Sequence, residues 1–248
     1  MSTFSAHPNE INKVKVLVVG DSGVGKTSLV HLLVNGEVLT KSSWTIGCSV
    51  EVKIHEYREG SPGHRPYFVE LWDIGGNNSH KSTRHLFYTS VHGIILVHDL
   101  ANRKSQQNLR QWLVEVLLKE KSNPGSRDAL VDNFDAEQFG ALAKVYRANK
   151  IPVLVVGTRL DDLAETRPTA SLPRTSPAFS ASSLADACSA DELSVSCLDV
   201  RSVAPGSGNA VKLSRFFDRV IDGQIHCNGR PGPLYSGQPN YGLKMRYP

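Results

Sequence analysis

Residues 20–27 read GDSGVGKT, which fits the spacing G-x-x-x-x-G-K-S/T. No other stretch restricts the fold as strongly. Before it stands Val14–Val19 (VKVLVV), a short β-branched run of the kind found in strands buried on both faces. After it, Thr27–Val34 (TSLVHLLV) places apolar residues at helical spacing. A strand, a glycine-rich turn and a helix in that order form an anion nest: the glycines let backbone N–H groups curl inward, and the helix N-terminus adds positive potential. Asp21, Ser22, Gly23, Val24 and Gly25, with Lys26, Thr27 and Ser28 at the helix start, are the candidate phosphate-binding residues. Lys26 supplies a point charge for β- and γ-phosphates, and the Thr27 hydroxyl suits a hard Mg²⁺ ion. The alternative is a glycine-rich turn without ligand; the strand–loop–helix setting argues for the phosphate site.

Further along, Val50–Tyr57 and Pro66–Trp72 alternate, which predicts a hairpin turned within Gly60–Gly63. Gly93–Val97 and Ile151–Val156 read as buried strands, with Leu193–Ser196 a weaker one. Helices are predicted over Ser105–Leu118 and Ala210–Ile221. Buried strands alternating with helices imply an α/β fold, a mostly parallel six-stranded sheet with helices on both faces. The expected organisation is a lead-in over 1–12, one domain over 13–222 and a flexible tail over 223–248. Two insertions are expected inside the domain, at 119–150 with its amphipathic piece AEQFGALAKVY, and at the Ser/Thr/Pro-rich 164–183.

FVELWDIGGN, residues 68–77, ends a strand on an acid and follows it with two glycines and an amide. Asp73 at that strand end can hold Mg²⁺ through water. Gly75 and Gly76 let backbone approach a γ-phosphate, with the Gly76 N–H as donor. Thr45 in SSWTIG offers a hydroxyl that completes the metal shell when the γ-phosphate is present. The candidate metal ligands are therefore Thr27, Thr45 and Asp73.

GDSGVGKT, the TIG of residues 45–47, WDIGG at 72–76, VHDLANRKSQQNLRQW at 97–112 and GTRLD at 157–161 resemble, in order and spacing, the Ras-like small GTPases of the Rab branch. The resemblance implies the P-loop small GTPase fold, GTP/GDP and Mg²⁺ as cofactors, and a regulatory switch in trafficking or Ras-family signalling. It places the base-recognition segment at Thr158, Arg159, Leu160 and Asp161, and a second base loop at Cys197 and Leu198. Asp161 accepts from guanine N1–H and N2–H₂, where adenine offers an acceptor and a C–H; its other reading is a helix N-cap.

Several positions depart from the family pattern. Thr158 stands where the family has an asparagine that braces the phosphate loop and reaches the base, so weaker GTP binding is expected. Arg159 replaces a lysine, with a stem able to lie over the purine plane. Asp199 cannot repeat the contact of the family's lysine in the second base loop. Asn77 replaces the glutamine that orients the attacking water and is one methylene shorter; a misplacement of about 1 Å costs on the order of 100-fold in rate. With Asn77 and Gly76 as the catalytic candidates, GTP hydrolysis is expected to be slow. A constitutively GTP-bound scaffold, with the nucleotide as structural cofactor, is the alternative.

Partner proteins are expected at residues 42–50 and 73–90, with Trp44 either an exposed anchor or packed on the core edge, and with His80, Lys81 and Arg84 as a basic face or a solvated helix start. Self-association into a homodimer is a further expectation. The formal net charge of +4 is too mild and dispersed to point to nucleic acid. Four widely spaced cysteines without a C-x-x-C pair read as reduced thiols of a cytoplasmic protein, reaching membranes only through partners. Position 2 is not glycine, and GLKMRYP forms no C-a-a-X box, so no lipid anchor is expected.

Overall fold

A computed structural model of the chain describes residues 12–121, 150–165 and 181–228. β1 (Lys13–Val19) is central in the sheet and buried from Val14 onward because helices cover both of its faces, Val16 and Val18 packing on one side and Leu17 and Val19 on the other. β2 (Cys48–Tyr57) and β3 (Arg65–Ile74) form an antiparallel hairpin, and β3 runs parallel to β1 with Asp73 opposite Val18. On the other side of β1 lie β4 (Gly93–Asp99), β5 (Val153–Thr158) and β6 (Asp191–Ser194), all parallel. The order is β2-β3-β1-β4-β5-β6, so the sequence of strands reverses at β1. In an open α/β sheet a ligand crevice opens at that reversal, outside the carboxyl ends of the strands.

Helices cover both faces. α1 (Lys26–Asn35) and the last helix, α6 (Gly208–Asn228), press Leu29, Leu32, Phe216, Phe217 and Ile221 onto one face. α3 (Arg103–Lys121) and α5 (Ala181–Ala187) cover the other, with Leu109, Leu113, Val116 and Leu184 buried there. Between β3 and β4 the chain forms two 3₁₀ turns, Asn78–His80 and His85–Phe87, around the short α2 (Lys81–Arg84). α4 (Leu160–Glu165) leaves β5 directly.

The six strands and two-sided helix cover match the expected fold class. Some boundaries differ. The weak strand is placed at Asp191–Ser194 rather than Leu193–Ser196, because it pairs with β5 from Leu154 to Gly157. α6 continues past Ile221 and Gly223 to Asn228, into the stretch expected as tail. It does so because Ile225 packs on the core and Gln224 Nε2 donates to the Lys13 carbonyl at 2.8 Å. α4 stands where the N-cap reading of Asp161 placed a helix, whereas α5 was not anticipated, and the two helices take up both ends of the second expected insertion. The AEQFGALAKVY piece, most of both insertions and the tail beyond Asn228 lie outside the described residues. Among the described residues no helix is long and apolar enough to cross a membrane.

Candidate functional site

The turn after β1 rests on glycines in the left-handed region, with φ of 79° at Gly23 and 90° at Gly25. The Gly25 carbonyl accepts the first helical bond of α1 from Leu29 N–H at 2.9 Å. Lys26 then folds back over the turn, its Nζ donating to the carbonyls of Gly20 at 2.9 Å and Asp21 at 2.7 Å. An ammonium has three protons, so one donor direction remains for an anion. Burial lowers the Lys26 pKa to about 8, against the pull of the Asp73 and Asp21 charges. An incoming phosphate would reverse that direction by favouring the charged form.

Three oxygen-bearing side chains from three separate segments meet beside this lysine. Thr27 Oγ1 donates to Asp73 Oδ2 at 2.6 Å, Thr45 Oγ1 reaches the same oxygen at 3.1 Å, and the two hydroxyls lie 3.1 Å apart. Asp73 is 1% exposed, and its Oδ1 has no hydrogen-bond partner among the described residues. Burial raises the Asp73 pKa although the two hydroxyls and Lys26 act the other way. A buried carboxylate oxygen left unmet, flanked by hydroxyls, is a donor set that fits a hard divalent cation.

The glycine pair after β3 has a steric explanation. A Cβ at Gly76 would lie 2.5 Å from Ser22 N and 2.6 Å from the Gly20 carbonyl oxygen; one at Gly75 would lie 2.5 Å from the Thr45 carbonyl oxygen. Gly75 N–H donates to the Gly47 carbonyl at 2.9 Å. The chain leaving β3 thus threads between the phosphate loop and the 42–47 segment, where only glycine fits. Asn77 follows, and its Oδ1 accepts the Ser79 N–H at 3.0 Å as the cap of the 78–80 turn.

Gly23, Gly25, Lys26, Thr27, Thr45, Gly76 and Asn77 line a cavity of about 650 Å³, with Asp73 buried behind the two threonine hydroxyls; the other end is formed by Thr158, Arg159, Asp161, Cys197 and Leu198. Ser22, Ser28 and His80 also line it. The fully buried Thr158 corrects one expectation. Its Oγ1 lies 2.5 Å from the Val24 carbonyl and 3.0 Å from that of His98, so the hydroxyl braces the phosphate loop in place of an amide. Arg159, at φ 58°, sends Nη2 to the Gly23 carbonyl at 2.9 Å, with Nη1 3.5 Å from Asp99 Oδ2. It grips the same loop from outside. Asp161 lies in the first turn of α4, and its Oδ1 is buried with no hydrogen-bond partner among the described residues. That carboxylate oxygen is thus not spent on a cap.

In the second base loop, burial and the nearby Asp161 charge push the Cys197 thiol up to about 11, which keeps it neutral. Leu198 N–H donates to Ser196 Oγ at 3.2 Å. Asp199 caps the Val200–Val203 turn and pairs with Arg201. Arg84 departs from expectation: it is 1% exposed, not part of a basic surface, because Trp112 and Glu115 of α3 receive it. Trp44 stands 81% exposed.

Sequence reasoning also missed the Asp21 side chain. Its carboxylate accepts from Asn108 Nδ2 at 2.7 Å and Trp112 Nε1 at 2.8 Å, tying the phosphate loop to α3. The signal available was the i, i+4 spacing of Asn108 and Trp112 on one helix face.

Comparison with known proteins decides the family. Rab-like protein 3 of Xenopus tropicalis is 48% identical over 237 residues, covering 93% of this chain and 94% of that protein. The chain belongs to the Ras-like small GTPases. Rab-like protein 3 of Homo sapiens is 50% identical over 218 residues, 86% of each chain. The GTPase also matches, over residues 15–134, the family described as Roc, Ras of Complex, domain of DAPkinase. A more limited similarity, 47% over 114 residues, links it to Small GTPase LIP1 of Arabidopsis thaliana. As a member of this family the GTPase binds guanine nucleotides and acts as a regulatory switch.

Proposed function

We propose that this GTPase is a Mg²⁺-dependent GTP/GDP switch that hydrolyses GTP slowly and signals by binding partner proteins. The observation that carries the reading is the convergence of Thr27, Thr45 and Asp73, with the Asp73 Oδ1 unmet. Thr45 comes from the loop before β2 and Asp73 from the buried end of β3, so a group held beside them fixes that loop to the sheet. Thr27, Thr45 and Asp73 would hold Mg²⁺, and the ion, when bound, would neutralise phosphate charge. Lys26 and the amides of Gly23–Ser28 bind the β- and γ-phosphates. The Gly76 N–H senses the terminal phosphate, its approach made possible by the absent Cβ. Asp161 orients guanine through N1–H and N2–H₂; a buried carboxylate left without donors is costly, so adenine is refused.

Residues 42–50 and 73–90 present the nucleotide state. Trp44, Ile46 and Val50 in the first segment and Leu86 in the second are exposed apolar side chains, suited to anchor a partner. By family analogy the output lies in trafficking or Ras-family signalling from the cytoplasm. A second reading, a scaffold that keeps GTP loaded, gains support from Asn77, whose oxygen is already engaged by Ser79 N–H.

Two measurements test these readings. ATP in excess should fail to displace labelled GTP in the presence of Mg²⁺, and chelation of the metal should speed release; equal competition by ATP refutes the guanine assignment. Single-turnover hydrolysis should be slow in wild type and faster by up to about 100-fold in Asn77→Gln, as expected for recovered positioning. A wild-type rate already matching Asn77→Gln removes the role given to Asn77, and hydrolysis absent from both favours the scaffold.

A further inference from the structure

A connected set of side chains runs from the phosphate loop to residues 84–88 without touching the base or metal sites. Asn108, Trp112 and Glu115 share one face of α3, spaced four and three residues apart. Asn108 and Trp112 donate to the two oxygens of Asp21, whose carbonyl is one of the two that hold Lys26 Nζ. The face of the same indole carries the Arg84 guanidinium at 4.2 Å. Glu115 Oε1 lies 3.5 Å from Arg84 Nε and accepts the Tyr88 hydroxyl at 2.9 Å.

Arg84 is buried, yet its Nε and Nη1 have no hydrogen-bond partner among the described residues. Among the described residues this guanidinium is held by its stack on Trp112 and its ion pair with Glu115. The Trp112 ring serves both ends: its edge N–H fixes Asp21, and its face holds Arg84. Displacing Arg84 therefore acts on the indole, and the indole on the loop that cradles phosphate.

We propose that Arg84 is a positioning residue for the phosphate loop, acting through Trp112 on Asp21, so that a protein seizing residues 78–88 loosens or tightens the grip on nucleotide. The coupling is reciprocal: nucleotide binding stiffens Arg84 and its neighbours. This deepens the switch reading and rests on it for the ligand, but its geometry belongs to the protein alone.

The test uses the full chain as wild type, Arg84→Gln, Trp112→Phe and the double variant. Trp112→Phe keeps an aromatic face for Arg84 and removes the N–H bonded to Asp21. Labelled GDP should leave each single variant about ten-fold faster than wild type, within the usual range of coupling. The double variant should release little faster than Trp112→Phe, because among the described residues the contacts that link Arg84 to the loop pass through that indole, and the Arg84 charge reaches Lys26 directly only as the smallest of the influences on it. In nucleotide-free protein, deuterium uptake at residues 21–28 should rise in both single variants while α6 is unchanged. Release and loop uptake equal to wild type in Arg84→Gln overturn the proposal, as do effects that multiply in the double variant. Should Arg84→Gln fold poorly, Trp112→Phe with wild-type release and loop uptake overturns it alone. If wild type takes up no guanosine diphosphate, the switch reading fails, and the uptake comparison still decides this proposal.

Discussion

Thr158 shows how one atom can take over a task that sequence comparison assigns to a larger group. A hydroxyl has a single proton, and at 2.5 Å from the Val24 carbonyl it is committed to the phosphate loop. Thr158→Val keeps the shape and removes the bond, leaving the Val24 carbonyl without this partner. The expected cost is about 1–2 kcal/mol of stability, with faster GDP release, read by denaturant midpoints and labelled-nucleotide dissociation. The phosphate loop, Thr45, Asp73 and the glycine pair were legible in the sequence because each sits in a short motif whose chemistry is local. The Asp21 carboxylate and the Arg84 guanidinium were not. Their partners lie on α3, and nothing near either residue in sequence marks the one as a tether or the other as buried.

Among the elements, the β2–β3 hairpin and α6 are joined by a set of polar contacts. His55 Nε2 lies 2.9 Å from Asp218 Oδ1, the Tyr57 hydroxyl donates to Asp222 Oδ1 at 2.6 Å, and Arg58 Nη2 reaches the same oxygen at 3.0 Å. Burial and the bond to Asp222 push the Tyr57 hydroxyl pKa up to about 12. Asp222→Ala would remove the acceptor of this part-buried hydroxyl at a cost of about 1 kcal/mol, measured by urea unfolding; Asp222→Asn, which keeps an acceptor oxygen, should recover most of the loss. These contacts also explain why the end of α6 was misjudged. Gly223 reads as a stop by propensity, about 1 kcal/mol worse than alanine in a helix interior, but anchoring on both sides of it outweighs that preference. Strand existence was legible from apolar runs, whereas the edge strand β6 opens on Asp191 and Glu192 and carries a weaker signal.

For the molecule as a whole, acid should be destabilising through two histidines. Burial lowers the pKa of His98, and burial with the Lys15 charge lowers that of His92, both from 6.5. The folded chain keeps them neutral where the unfolded chain already binds protons. Their contribution is therefore fully present above about 6.5 and is lost as pH falls through that value toward the lowered one, by at most about 1.4 kcal/mol per pH unit per group. Urea midpoints taken from about pH 7.5 down to about pH 5.5 should fall, and His98→Leu should flatten the slope. A slope unchanged in His98→Leu would remove the assignment to that residue.

Trp44 stands in solvent beside Thr45, whose hydroxyl turns inward to Asp73. Of the other two indoles, Trp112 is buried against Arg84 and Trp72 is half-buried beneath the Lys15 ammonium. A neutral collisional quencher such as acrylamide therefore reaches the emission of Trp44 most readily. The loop that the terminal phosphate is expected to draw in thus carries a native optical reporter of its own position.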